Sequence, residues 1–280
     1  MPSDELASHP VAPAPDRNDR LRVMFIHGGG STDVSDREQE PFARYLRARY
    51  DQFSMKAVRH TSDFESVIRT HAEEARRFKP DIIVGRSQGG PTILELMHRG
   101  IWCGPAVLCC PAIVPIVDDH LMRLPDSLPL LIVTGASDEQ VPLTRVEDLY
   151  AANRARLQGG CALIVVQDTH ALCSLLNDAK PVPHLDGSHG ADPACGTLGQ
   201  MIQACWEMRQ RVAAKAGYDH GARLPADSHR ASDSTGLGAA APTSLDAVAV
   251  SVSRWKRARQ RPWKAAFWGP GGSSEKCAVM

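Results

Sequence analysis

Short, nearly unbroken apolar runs punctuate the first three quarters of the chain, at residues 22–27, 81–84, 105–110, 129–134 and 162–166. Each is too short for a stable helix and lacks polar alternation, so each reads as a strand covered on both faces, as in a parallel sheet. A weaker strand pattern runs from Phe53 to Val58. Helical patterns fall between the strands, near 37–50, 64–79, 90–99 and 143–156, and a last one lies near 198–215. The stretch from Phe64 to Ala75 is polar along one side, as a helix covering a sheet should be. Strands alternating with helices predict an α/β fold: a three-layer α/β/α sandwich around a mostly parallel sheet with right-handed crossovers.

Four of the strands run straight into residues that can carry chemistry. After Asp81-Ile82-Ile83-Val84 comes Gly85-Arg86-Ser87-Gln88-Gly89-Gly90. A serine between close glycines on a strand-to-helix turn has the form of a nucleophile elbow, because so sharp a turn strains the serine backbone and leaves no room for flanking side chains. The plain alternative is a glycine turn that only starts a helix. After Val23 to Ile26 comes His27-Gly28-Gly29-Gly30, whose glycines let backbone N–H groups approach a substrate oxygen. A merely flexible strand end is the alternative, and no Gly-Lys-Ser/Thr follows that would suit a phosphate cradle. The strand at 129–134 ends in Gly135-Ala136-Ser137-Asp138-Glu139-Gln140-Val141-Pro142, where Asp138 either serves chemistry or caps the next helix, and Glu139 is the neighbouring alternative acid. The strand at 162–166 ends in Gln167-Asp168-Thr169-His170, one of 11 histidines in the chain.

One architecture accounts for all four places. Ser87, Asp138 and His170 occur in the order of the α/β-hydrolase fold, each just after a strand. The chain resembles an α/β-hydrolase superfamily serine hydrolase, and Gly-x-Ser-Gln-Gly-Gly with Asp-x-x-Val-Pro is similar to the motifs of the small, lidless carboxylesterase and acyl-protein thioesterase branch. The resemblance spans about residues 20–217. It implies hydrolysis of a carboxylic ester or thioester through an acyl-enzyme, with Ser87 as nucleophile, His170 as base and Asp138 orienting it. The implied oxyanion donors are the backbone N–H of Gln88 and one from Gly28 or Gly29. No metal or organic cofactor is implied. The 112–128 segment is too short for a lid domain, which predicts an open site. Three features depart from the branch: the third glycine Gly30, Arg86 before the serine, and Thr169 before the histidine. Arg86 either favours acidic substrates or points into packing. A catalytically silent hydrolase fold acting as a membrane-tethered binding module is the reading from another class.

Composition changes the picture mainly outside this core. The 280 residues divide into a disordered N-terminal tail at 1–19, a hydrolase domain at 20–217 and a flexible C-terminal tail at 218–280. A 43% hydrophobic and 23% charged composition is ordinary for a globular protein, and the formal net charge of +0 indicates no general attraction to nucleic acid. The start, Met1-Pro2-Ser3-Asp4-Glu5, is no secretory signal, and no run is long enough to span a membrane. The eight cysteines show no framework, and Cys109 and Cys110 inside a strand suit free thiols in a reducing, cytoplasmic compartment. His184, His189 and Cys195 share a polar loop that reads as an insert rather than a metal site. The tail carries Arg254-Trp255-Lys256-Arg257-Ala258-Arg259-Gln260-Arg261-Pro262-Trp263-Lys264 and ends Cys277-Ala278-Val279-Met280. That ending has the form of a prenylation box at Cys277, for which the basic run would be the second signal that holds one lipid chain at an anionic membrane surface; the plain alternative is an unmodified end with an accidental cysteine. An RNA-binding or nuclear-targeting patch is the rival for the basic run.

Overall fold

The computed structural model describes residues 21–215, apart from 30–35, 37, 59–62, 114–118, 125–128, 156–159, 186–187 and 191–195. The tail readings, including the basic run and Cys277, therefore lie outside the described residues, as do Gly30 and Cys195.

Six strands form one sheet: β1 (Val23–Ile26), β2 (Phe53–Met55), β3 (Ile82–Arg86), β4 (Ala106–Cys109), β5 (Leu130–Gly135) and β6 (Cys161–Val166). Their order is β2-β1-β3-β4-β5-β6 and every pairing is parallel. All residues of β1, β4, β5 and β6 are buried, which is why their sequences are unbroken apolar runs. Among the described residues five α-helices cover the sheet: α1 (Pro41–Arg49), α2 (Phe64–Phe78), α3 (Gly89–His98), α4 (Leu143–Asn153) and α5 (Leu198–Lys215). Alternate strand residues feed two separate cores. Met24, Ile26 and Ile83 pack with α2, α3 and α4 on one face, whereas Val23, Phe25, Ile82 and Val84 pack with α1 and α5 on the other. Phe25 stacks on Phe42 of α1, with ring centroids 6.2 Å apart.

Local signals set the helix ends. Pro41 opens α1, where its missing N–H costs nothing. Asp63 caps α2 by accepting from the Ser66 N–H, and Lys79 closes that helix in the left-handed region at φ 52°. The predicted strand at Phe53 to Val58 is shorter, ending at Met55. The Val58 N–H donates to Nε2 of His27 at 2.9 Å, so this segment turns to a side chain instead of continuing the ladder. Among the described residues no helix is long and apolar enough to cross a membrane. Cys109 and Cys110 are free thiols as expected, as are Cys103, Cys161 and Cys205, whereas Cys173 is disulfide-bonded although the sequence shows no disulfide framework.

The loop after β6 doubles back along that edge strand. His184 and His189 make antiparallel bridges to Val166 and Leu163. The ring of His189 stacks on Tyr150 of α4 at 5.5 Å. This segment thus shields the sheet edge with backbone bonds.

One buried group makes the fold pH-sensitive. His71 of α2 is fully buried, and neither ring nitrogen has a hydrogen-bond partner. Burial pushes its pKa down from 6.5 to about 3, and the neighbouring His27 ring, edge-on at 6.5 Å, adds to this. Above pH 6.5 the ring is neutral folded and unfolded, so it contributes no pH dependence. Below 6.5 the unfolded chain takes up a proton that the native state refuses, and stability falls by about 1.4 kcal/mol per pH unit as the pH drops toward 3. His71→Leu, close in volume, removes this penalty. At pH 5 the variant is expected to gain about 2 kcal/mol over wild type beyond any difference at pH 7.5, read from urea unfolding at both values. Parallel pH profiles for the two proteins would refute it.

Candidate active site

The strand order places a topological switch between β1 and β3: the chain leaves β1 outward to β2 and returns on the other side through β3. Crevices at the carboxyl ends of strands flanking such a switch are where open α/β sheets hold ligands. Gly28 follows β1 there and Ser87 follows β3.

Ser87 sits between β3 and α3 in the left-handed region at φ 50°, a conformation that costs a non-glycine residue of order 1 kcal/mol or more. Surrounding backbone holds it in place. Its N–H donates to the Cys109 carbonyl at 2.9 Å, and its own carbonyl accepts from Gly90 and Ala112, each at 3.0 Å. Gln88 follows as the N-cap of α3, so the serine lies at a helix N-terminus, where developing negative charge is favoured. The β1 turn lies directly against this elbow. A Cβ on Gly28 would stand 3.0 Å from Ser87 Cβ and 3.7 Å from its Oγ, and one on Gly29 would strike the Gln88 side chain at 2.7 Å. The predicted oxyanion residues Gly28, Gly29 and Gln88 are thus clustered around the serine.

His27 shapes that turn. Because Val58 N–H donates to its Nε2, the proton resides on Nδ1, which donates to the Gly28 carbonyl at 2.7 Å. Holding the Gly28 carbonyl fixes the plane of the Gly28–Gly29 peptide, and with it the direction of the Gly29 N–H.

Asp138 and His170 meet beyond β5 and β6. Nδ1 of His170 donates to Asp138 Oδ2 at 2.8 Å, and the Asp138 carboxylate is buried. Oδ1 accepts from the backbone N–H groups of Gln140 and Val141, both at 2.8 Å. Burial alone would push this carboxyl up. The His170 hydrogen bond and charge, the Val141 N–H and the Cys110 thiol outweigh burial and hold it below the usual carboxylate range. Glu139, the alternative acid, is exposed. Asp168 anchors the histidine loop, accepting from the N–H of Thr169 at 2.7 Å and of Ser174 at 2.8 Å, and from the Ser174 hydroxyl.

Arg86 joins the two halves of the site. Its guanidinium pairs with Glu40 at 2.6 Å, stacks over Phe42 at 5.4 Å and reaches the His170 carbonyl at 3.5 Å. Of the two readings of Arg86, the structure favours packing: its charge is spent on Glu40 and on bracing the histidine loop. Among the described residues no hydrogen bond joins Ser87 Oγ to His170. Such bonds commonly tighten only with substrate in place. His184 and His189 take no part in the site. The His/Cys/Asp/Glu grouping that the described residues bring together is Cys110, Asp138 and His170, whose ligand atoms lie within 4.8 Å of one another. That carboxylate already accepts from the imidazole and from two backbone N–H groups.

Sequence reasoning passed over His27, Glu40, Cys110 and Asp168. Of these, His27 and Asp168 stand close to predicted site residues in sequence, one position before Gly28 and two before His170.

No family model matches the sequence, and no curated protein matches it. Solved structures give distant likenesses. A protein described as a YdeN-like hydrolase from Pectobacterium atrosepticum is 15% identical, with 69% of this chain and 92% of that one covered and a TM-score of 0.46. The esterase domain of a Rhodothermus marinus protein is 13% identical, covering 70% and 90%, with a TM-score of 0.45. Est1E from Butyrivibrio proteoclasticus is 16% identical, covering 72% and 90%, with a TM-score of 0.44. The molecule's own topology is that of an α/β sandwich, with a parallel sheet, a strained serine between β3 and α3 and a histidine–carboxylate pair beyond β5 and β6.

Proposed function

We propose that this protein is a serine hydrolase that cleaves a carboxylic ester or thioester through an acyl-enzyme. The observation that carries this reading is the buried His170–Asp138 hydrogen bond of 2.8 Å, formed between residues from two different strand ends. Because Nδ1 carries the proton given to Asp138, Nε2 is the basic nitrogen. His170 Nε2 takes the proton of Ser87 as Oγ attacks the carbonyl carbon. The imidazolium so formed is stabilised by the Asp138 carboxylate. The tetrahedral oxyanion is received by the N–H of Gln88 and an N–H of the Gly28–Gly29 turn. His170 then protonates the leaving alcohol or thiol, and water, activated by the same nitrogen, releases the acid. The elbow's strain serves this chemistry by presenting Oγ at the mouth of α3.

A fluorophosphonate probe tests the nucleophile. Wild-type protein is expected to gain one adduct, located to Ser87 by peptide mass mapping, and Ser87→Ala is expected to lose it along with turnover of short-chain p-nitrophenyl esters. A folded wild-type protein that stays unlabelled would overturn the proposal in favour of a catalytically silent binding module.

A further inference from the structure

Asp168 is a second carboxylate close to Asp138 and His170, and the proposed mechanism gives it no proton to carry. It lies at the seam between the loops that bear those two residues. Its main chain meets the Asp138 loop: the Asp168 carbonyl accepts from the Ser137 N–H at 3.0 Å. Gly135 permits that approach, because a Cβ there would overlap the Asp168 carbonyl and stand 2.6 Å from the Thr169 carbonyl oxygen. Its side chain meets the His170 loop. Oδ1 accepts from the Thr169 N–H at 2.7 Å, and Oδ2 accepts from the Ser174 N–H at 2.8 Å and from the Ser174 hydroxyl. One carboxylate thus takes donors from both ends of the 169–174 segment, and His170 lies inside the ring so closed.

That ring is poorly held from within. Leu172 sits at φ 49°, in the left-handed region that costs a leucine of order 1 kcal/mol or more. The bonds inside the ring are long: the Leu172 N–H donates to the Thr169 carbonyl at 3.3 Å, and the Ala171 N–H to the Thr169 hydroxyl oxygen at 3.4 Å. The short bonds are those to the Asp168 carboxylate, and hydrogen bonds to a charged acceptor are the stronger kind. Leu172 and Leu175 add burial in the core shared with α1 and α5, and the Cys173 disulfide is a further restraint.

We infer that Asp168 is a positioning residue: by closing the 169–174 ring and docking it on the Asp138 loop, it holds the His170 ring where Nδ1 meets Asp138. The inference rests on the Ser87–His170–Asp138 reading. Asp168 acts on the base through the loop backbone and exchanges no proton with it.

The test compares wild type, Asp168→Asn, Ser174→Ala and the double variant, all with the disulfide intact. Asparagine keeps the shape but has one amide oxygen, so its NH₂ group must face the donors at one end of the ring. Asp168→Asn is expected to lose about 30-fold in kcat for p-nitrophenyl acetate while KM stays within about twofold. The downfield proton resonance of His170 Nδ1–H, which reports its bond to Asp138, is expected to shift and broaden. Ser174→Ala, which removes the hydroxyl and keeps the N–H, is expected to lose about threefold. The double variant should be no slower than Asp168→Asn, since both changes act on one clasp. A residue that served stability alone would lower the melting temperature and leave kcat of the folded enzyme and the Nδ1–H resonance at their wild-type values, and that result would overturn the inference. So would losses that multiply in the double variant. If Asp168→Asn does not fold, Ser174→Ala decides by the same two readouts. Ser87→Ala, run in parallel, separates this from failure of the underlying reading. If it is inactive while Asp168→Asn matches wild type, the role of Asp168 alone falls; if it retains turnover, both fall.

Discussion

An Asp138→Asn variant is expected to fold as wild type does and to lose about 10⁴-fold in kcat. The magnitude follows from where the amide must point. Oδ1 of Asp138 accepts two backbone N–H groups, from Gln140 and Val141. The amide oxygen of asparagine can take that place and the amide nitrogen cannot. The NH₂ group is then forced toward His170 Nδ1, which at present donates to Oδ2. To accept from the amide, Nδ1 must give up its proton, and the neutral ring carries it on Nε2 instead. A protonated Nε2 cannot take the Ser87 proton. Shape and burial hardly change, so melting temperature and circular dichroism should stay near wild type while ester hydrolysis and fluorophosphonate labelling collapse. A fall of less than tenfold would show that Asp138 does not orient the base.

Gly89→Ala is expected to destabilise the fold by about 3 kcal/mol and to abolish activity, by a route that involves no reacting group. Gly89 is the first residue of α3, and it is packed against the exit of β1. A Cβ at 89 would overlap the Ile26 carbonyl and stand 3.2 Å from the His27 carbonyl oxygen. These are backbone atoms of a central strand and cannot turn aside as a flexible side chain would. The helix must draw back from β1, and Ser87 and Gln88 move with it, away from Gly28 and Gly29. Gly100→Ala serves as the control. Gly100 has φ 64° but nothing within 4 Å of a Cβ, so it should cost only the strain of the backbone, about 1 kcal/mol. Chemical denaturation of both variants measures the difference. A Gly89→Ala protein as stable as Gly100→Ala would refute the close β1–α3 approach.

The contrast between these two glycines shows what a sequence displays and what it withholds. In the chain both are glycines near a helix terminus, and the motif around Ser87 marks Gly89 without showing what crowds it. Which one faces a carbonyl and which faces open space depends on a strand more than 60 residues earlier. The same holds for Arg86. Its position beside the serine was legible, but its partner Glu40 lies 46 positions away in sequence, so its role was not. The strand at Phe53 was also legible, but its early end was not, because the competing acceptor is the ring of His27.

Short apolar runs separated by amphipathic helices sufficed, by themselves, for the α/β sandwich, since burial on both faces leaves an unmistakable pattern along the chain. The sequence likewise displays a serine between close glycines and the order Ser87, Asp138, His170, because tight turns impose local steric demands. Tertiary structure alone decided the strand order with β1 beside β3, the seating of Gly28 against Ser87, and the pairing of His170 with Asp138 while Glu139 stays exposed. It also decided that Cys110 would lie near Asp138 and His170 and that the His71 ring would be buried without a hydrogen-bond partner. These depend on contacts between residues tens of positions apart, whose geometry is set by how the whole sheet packs and not by any neighbour in the chain.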